Sequence, residues 1–321
     1  MILVHFSLLT AMVLFGCRHE TPTKQAPAAQ SQSVASPVPD FDGRRAYDFL
    51  VTQTRFGPRN PGSAGHRNCL NYLQSELQSA AEAVNTQSFT VAGYNKETLK
   101  LTNVIASFNL KATTRILLLA HWDTRPRADN DPDPKKRDAL ILGANDGASG
   151  VAVLLEIAHH LKLRPPQVGV DLLFVDGEDY GKEGDAQYYL LGAKHFAKHL
   201  PPGFVPSFGI LLDMIGDKQL EIPKDRYSLE FAPEIVELVW STARDLGISQ
   251  FSDNLARGWT TDDHVPLNQA GIKTIDLIDF EYPDSSNRFW HSVQDTPDKC
   301  SAESLEAVGT VLMHVIYNYK P

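Results

Sequence analysis

The sequence predicts an α/β domain with a mostly parallel central sheet and helices on both faces. Two observations point there. From about Phe41 onward, apolar segments of strand length alternate with amphipathic segments of helix length, as in a parallel sheet wrapped by helices. The polar residues of greatest chemical interest fall at carboxyl ends of the strand candidates, which share one edge in an open parallel sheet. A chain of 321 residues, 42% hydrophobic and 21% charged, can bury one substantial core, and no internal repeat divides it.

In chain order, residues 1–17 (MILVHFSLLTAMVLFGC) form an apolar stretch too short to span a bilayer. Its end, Leu14-Phe15-Gly16-Cys17, resembles a bacterial lipoprotein signal cleaved before Cys17, which predicts export and a lipid anchor at the cell envelope; the alternative is an ordinary signal peptide with an incidental cysteine. Residues 18–40, rich in Pro, Ala, Ser and Gln, read as a flexible tether. Residues 41–321 are expected to form a single domain. Strands are expected at Asn103–Phe108, Arg115–Ala120, Val168–Val175, Phe208–Met214 and Lys273–Ile278. Helices are expected at Ala64–Ala80, Ser149–Leu161, Ala193–His199, Pro233–Leu246 and Ala302–Tyr319. Cys69 and Cys300 are expected to be buried free thiols, although export would permit a disulfide.

The net charge of −9 disfavours a nucleic-acid partner, since phosphate binding needs a basic face. The compact basic run Lys135-Lys136-Arg137 sits in a Pro/Asp-rich segment and reads as solvated.

The stretch FVDGEDYG, 174–181, drives a buried strand straight into Asp176, Glu178 and Asp179. Like charges gathered in a folded site need positive compensation. His121 and Asp123 follow the second strand, Asp213 ends the fourth, and His291 lies in the loop after the fifth. A zinc ion is the economical compensator, because it takes imidazole nitrogen and carboxylate oxygen and keeps one position open when catalytic. His121, Asp146, Glu178, Asp179, Asp213 and His291 supply those donor types.

HWDTRP, GANDGASGVAVLLEIA, LLFVDGEDYG, LLDMIGD, DDHVPLNQAG and FWHSVQDTPD occur in the order and approximate spacing of the zinc-dependent aminopeptidase family, whose fold is an α/β/α sandwich. The resemblance runs from about Gly57 to the C-terminal helix. Within that superfamily the chain looks like the glutaminyl cyclases: Asp262 precedes Asp263-His264 where the peptidases generally have Ser, and Trp290 directly precedes His291. The resemblance implies a single zinc on Asp146, Asp179 and His291, with Glu178 as general acid/base. It makes Asp213 and Asp262 carboxylates that hold and share protons, and lets Trp290 wall a substrate pocket. The implied substrate is a peptide with N-terminal glutamine, closed to pyroglutamate with loss of ammonia. Two departures stand out. Asp179 replaces the Glu of animal cyclases, and the tryptophan they carry shortly afterwards has no counterpart in Tyr180 to Gly184. The alternative is a dinuclear aminopeptidase, with a second zinc on His121 and Asp213, Asp146 as the bridge, and Glu178 activating water.

Other classes fit less well. GANDGASG lacks the lysine of a phosphate loop, and its glycines read instead as a tight turn aiming Asp146 inward. Ser149 lacks the G-x-S-x-G context of a nucleophile and reads as a helix cap. Asp129, Asp131 and Asp133 begin like a calcium loop, but Pro134 replaces its glycine and Leu140 its final glutamate, leaving a proline-braced loop beside the pocket. A binding lipoprotein that had lost catalysis would be expected to lose ligands, and all are present.

Overall fold

The computed structural model describes residues 38–182 and 184–320; the expected signal and the tether as far as residue 37 lie outside them. Among the described residues there are eight strands and eight α-helices: α1 Gly43–Arg55, α2 Ala64–Ala80, β1 Ala83–Ala92, β2 Thr98–Phe108, β3 Arg115–His121, α3 Ala148–Leu163, β4 Gly169–Val175, α4 Leu191–Lys198, β5 Phe208–Asp213, β6 Ile222–Lys224, α5 Arg226–Phe231, α6 Pro233–Leu246, β7 Phe251–Leu255, α7 His264–Gln269, β8 Thr274–Ile278 and α8 Ala302–Asn318.

Six strands form one mixed sheet in the order β1-β2-β4-β3-β5-β8, and β6 pairs with β7 in a small separate one. The contiguous set β4, β3, β5 and β8 is parallel. The strand expected at Asn103–Phe108 is the end of β2, which runs antiparallel both to β1 and to β4.

Side chains of the parallel strands alternate between two cores, as a period of two requires. Ile116, Leu118 and Ala120 of β3 join Val170, Leu172 and Phe174 of β4 in the larger core, which also takes residues from α1, α2, α3, α6 and α8. Leu117, Leu119, Leu173 and Val175 face the smaller core with Phe196 of α4 and Leu267 of α7. Because both faces are covered, these strands read as continuous apolar runs.

Local signals set the helix ends. Ser63 accepts from the His66 amide to start α2, and Ser301 accepts from the Ser304 amide to start α8. Pro233 opens α6, and Gly247 closes it in the left-handed region at φ +70°. Cys69 and Cys300 are buried free thiols. Among the described residues no helix is long and apolar enough to cross a membrane.

Candidate metal and active site

The carboxyl ends of β3, β4, β5 and β8 meet at one edge of the sheet, where His121, the FVDGEDYG turn, Asp213 and the loops after β8 converge. His121 Nε2 lies 3.2 Å from both Asp146 Oδ1 and Asp213 Oδ1. His291 Nε2 lies 3.2 Å from Asp179 Oδ2 and 3.5 Å from Asp146 Oδ2. Two groups able to hold a cation therefore share Asp146: one with Asp179 and His291, the other with His121 and Asp213.

Asp146 is carried by the loop between β3 and α3. Gly143 and Gly147 both have positive φ, +59° and +98°. A Cβ at Gly143 would stand 2.5 Å from the Asp146 carbonyl, and one at Gly147 2.7 Å from the Asp123 carbonyl, so the turn around Asp146 requires glycine at both positions. Buried Arg59 ties this loop down, donating to the carbonyls of Trp122, Leu142 and Gly143. Asp295 accepts from the amides of Asn145 at 2.8 Å and Asp146 at 3.1 Å, and the Tyr282 hydroxyl donates to Asp295. Ser149 is not the helix cap expected of it. Gly147 occupies that position without a side-chain bond, and Ser149, one residue inside α3, donates to the Asn145 carbonyl and accepts from the Ile215 amide.

The three carboxylates of FVDGEDYG go separate ways. Asp176 turns from the site, accepting from His66 Nε2 at 2.9 Å and the Thr102 amide at 2.7 Å. Glu178 faces the cavity. Asp179 points one oxygen at His291 and the other at the Arg125 guanidinium, 2.6 Å away. The amides of Glu178 and Asp179 are braced by Asp123, which also lies 3.5 Å from His121 Nδ1.

A cavity of about 930 Å³ opens over the group and is lined by Asp146, Glu178, Asp179, Asp213, Asp262 and His291, with Tyr189, Trp259, Phe280 and Trp290 as aromatic wall. Trp290 stacks on His291 with ring centres 3.7 Å apart and also packs against Phe280 at 4.9 Å, so the wall and packing roles coincide. Asp262 is buried beside the site, with one oxygen accepting from the Asp263 amide.

Burial, reinforced by the charge on Asp179, raises Glu178 well above the ordinary carboxylate range. Burial with Asp213 and Asp263 does the same to Asp262, and burial with Asp179 raises Asp146. Burial opposes ionisation of Asp179 too, but His291 and Arg125 outweigh it and lower its pKa.

The residues fit zinc. Asp146 Oδ2 and Asp179 Oδ2 are buried and accept no hydrogen bond, yet both face one imidazole nitrogen. Buried anionic oxygens without donors are costly unless a cation neutralises them. Two carboxylates and one histidine, with an open side toward a cavity, form the donor set of a catalytic zinc site.

The sequence pattern of peptidase family M28 matches residues 103–316. The chain belongs to peptidase family M28. Among solved M28-like structures, a Bacteroides thetaiotaomicron glutaminyl cyclase bound to N-acetylhistamine is 40% identical, with a TM-score of 0.84 over 88% of this chain and 100% of that one. A Zn-dependent exopeptidase from Parabacteroides distasonis is 39% identical, with a TM-score of 0.84 and the same coverage of 88% and 100%. The glutaminyl-peptide cyclotransferase of Gloydius blomhoffii is 25% identical over 82% of this chain and 77% of its own length. These likenesses imply zinc dependence for this M28 chain.

All the expected site residues, His121, Asp146, Glu178, Asp179, Asp213, Asp262, Trp290 and His291, line this cavity or lie directly against it. Sequence reasoning gave no role to Arg59, Arg125 or Asp295. Arg125 and Asp295 stand inside HWDTRP and FWHSVQDTPD, so their place in the site-bearing motifs was the available signal.

Proposed function

We propose that this M28 protein is a zinc-dependent glutaminyl cyclase that converts N-terminal glutamine of peptides to pyroglutamate and releases ammonia. The observation that carries this reading is one cavity bringing a raised-pKa Glu178 together with a three-residue cation site, in a chain similar along most of its length to a glutaminyl cyclase. Asp146, Asp179 and His291 would hold the ion, which when bound supplies a Lewis acid for the side-chain amide carbonyl.

Glu178 takes a proton from the substrate α-amine as its nitrogen attacks the side-chain amide carbon. The ring C–N bond forms, the original amide C–N bond breaks, and the proton passes from Glu178 to the departing nitrogen, giving neutral ammonia. A buried carboxylate within reach of both nitrogens can act first as base and then as acid. Asp213 and Asp262 line the same cavity as Glu178, placed to share that proton, and Trp290 walls off the glutamine head from water. Tyr189 adds a further aromatic surface to the same cavity.

The second group, His121, Asp146 and Asp213, supports the alternative of a dinuclear aminopeptidase in which Glu178 activates water. Paired assays separate the two readings: pyroglutamate formation from glutaminyl peptides against release of free amino acid from aminoacyl amides. Cyclisation with about one zinc per chain is expected. Two zinc ions per chain with hydrolysis and no cyclisation would establish the alternative. Glu178→Gln is expected to lower turnover by about 10²–10⁴-fold while zinc stays bound; retained turnover contradicts its role.

The N-terminal pattern supports export and a lipid anchor at Cys17, which mass spectrometry of the mature N-terminus checks.

A further inference from the structure

We infer that the Pro/Asp-rich segment from Arg125 to Ala139 is a strap that positions two of the candidate metal ligands, Asp179 and His291, from outside the coordination sphere. The inference rests on the reading that these two residues, with Asp146, hold the ion.

The first arm is an ion-pair chain. Asp129 grips the Arg125 guanidinium through two bonds of 2.6 Å, one on Nε and one on Nη2. The Nη1 of the same group then donates to Asp179 Oδ1 at 2.6 Å, and Nη2 also reaches the Tyr189 hydroxyl at 3.1 Å. With Oδ1 held there, Asp179 presents Oδ2, which has no hydrogen-bond donor, toward His291. A planar guanidinium fixed on one edge by a carboxylate leaves little freedom for the carboxylate on its other edge.

The second arm acts on the backbone. His291 is a non-glycine residue at φ +51°, a conformation costing on the order of 1–3 kcal/mol that persists only where surrounding contacts impose it. The strap supplies such contacts at His291 itself and two residues further on. The Asn130 amide donates to the His291 carbonyl at 3.1 Å, and buried Asp131 Oδ2 accepts from the Val293 amide at 3.1 Å. Asp131 Oδ1 meanwhile accepts from the Asp133 amide, and Asp133 accepts from the Lys135 amide at the start of a 3₁₀ turn opened by Pro134. The three aspartates that space like a calcium loop thus serve three different partners.

Loosening a metal ligand's supporting partners lowers metal affinity by roughly 10–100-fold. Zinc affinity, measured on the full chain by competition with a chromogenic chelator, is therefore expected to fall by about 10-fold or more in Asp129→Ala and in Asp131→Asn. Cobalt-loaded forms of both variants are expected to show shifted visible absorption bands, a change that a loss of general stability would not produce. Circular dichroism monitors folding. If buried Asp131→Asn fails to fold, Asp129→Ala, whose carboxylate is partly exposed, decides alone. Asp179→Ala and His291→Ala serve as references. Zinc affinity and cobalt spectrum unchanged in the strap variants, with zinc lost in the references, overturns the strap and leaves the ligand assignment standing. Zinc retained at full affinity in the references overturns the ligand assignment and the strap with it.

Discussion

Asp295 commits both carboxylate oxygens to the two amides that fix the turn carrying Asp146, and it takes a further bond from Tyr282. Its burial is complete, and burial followed by the charge on Asp146 pushes its pKa up to about 7. Replacing it with alanine would strand two buried amides at about 1–3 kcal/mol each and free the Asp146 loop. Asp295→Ala is therefore expected to lower the denaturation midpoint and to weaken zinc binding by about 10-fold or more. Chemical denaturation and chelator competition check the two effects separately. At the same scale Asp176 is instructive. It belongs to the same short motif as Glu178 and Asp179, yet local sequence cannot reveal that it turns to His66, because His66 arrives from α2. Distant partners decide which member of an acidic cluster reaches the cavity.

The parallel strands were legible because both their faces are buried. β3, β4 and β5 read as apolar runs, and the structure covers each on both sides. β1 was not legible. Its side chains are largely half-buried or exposed, its sequence AVNTQSFTVA is mixed, and only its pairing with β2 makes it a strand. α1 escaped because its inner face mixes buried polar residues, Gln53 and Thr54, with Ala46 and Leu50. The site residues showed themselves in sequence because they cluster at ends of the legible strands, whereas Arg59 acts from a loop whose polar character has no strand to advertise it. Leu118, at the centre of β3 between β4 and β5 and without exposed surface, tests the packing of the element that delivers His121. Leu118→Ala is expected to cost about 2–5 kcal/mol, read as a lower midpoint in a denaturant titration.

For the whole molecule, buried carboxylates link stability to pH. Asp279, which holds the amides of Glu221 and Glu281, is pushed up to about 7 by burial. Unfolded, it would titrate near ~4. Its contribution is therefore fully present below pH ~4 and is lost as pH rises toward about 7. Over that window the melting temperature of Asp279→Asn should fall less with rising pH than that of the parent chain, both measured in chelator; identical slopes contradict the linkage.

Crystals soaked in zinc and measured on both sides of its absorption edge test most directly whether a cation gathers these side chains. An anomalous peak is expected within about 2.0–2.2 Å of carboxylate oxygens of Asp146 and Asp179 and of His291 Nε2. Zinc bound only elsewhere, with those three side chains left uncoordinated, would contradict the account.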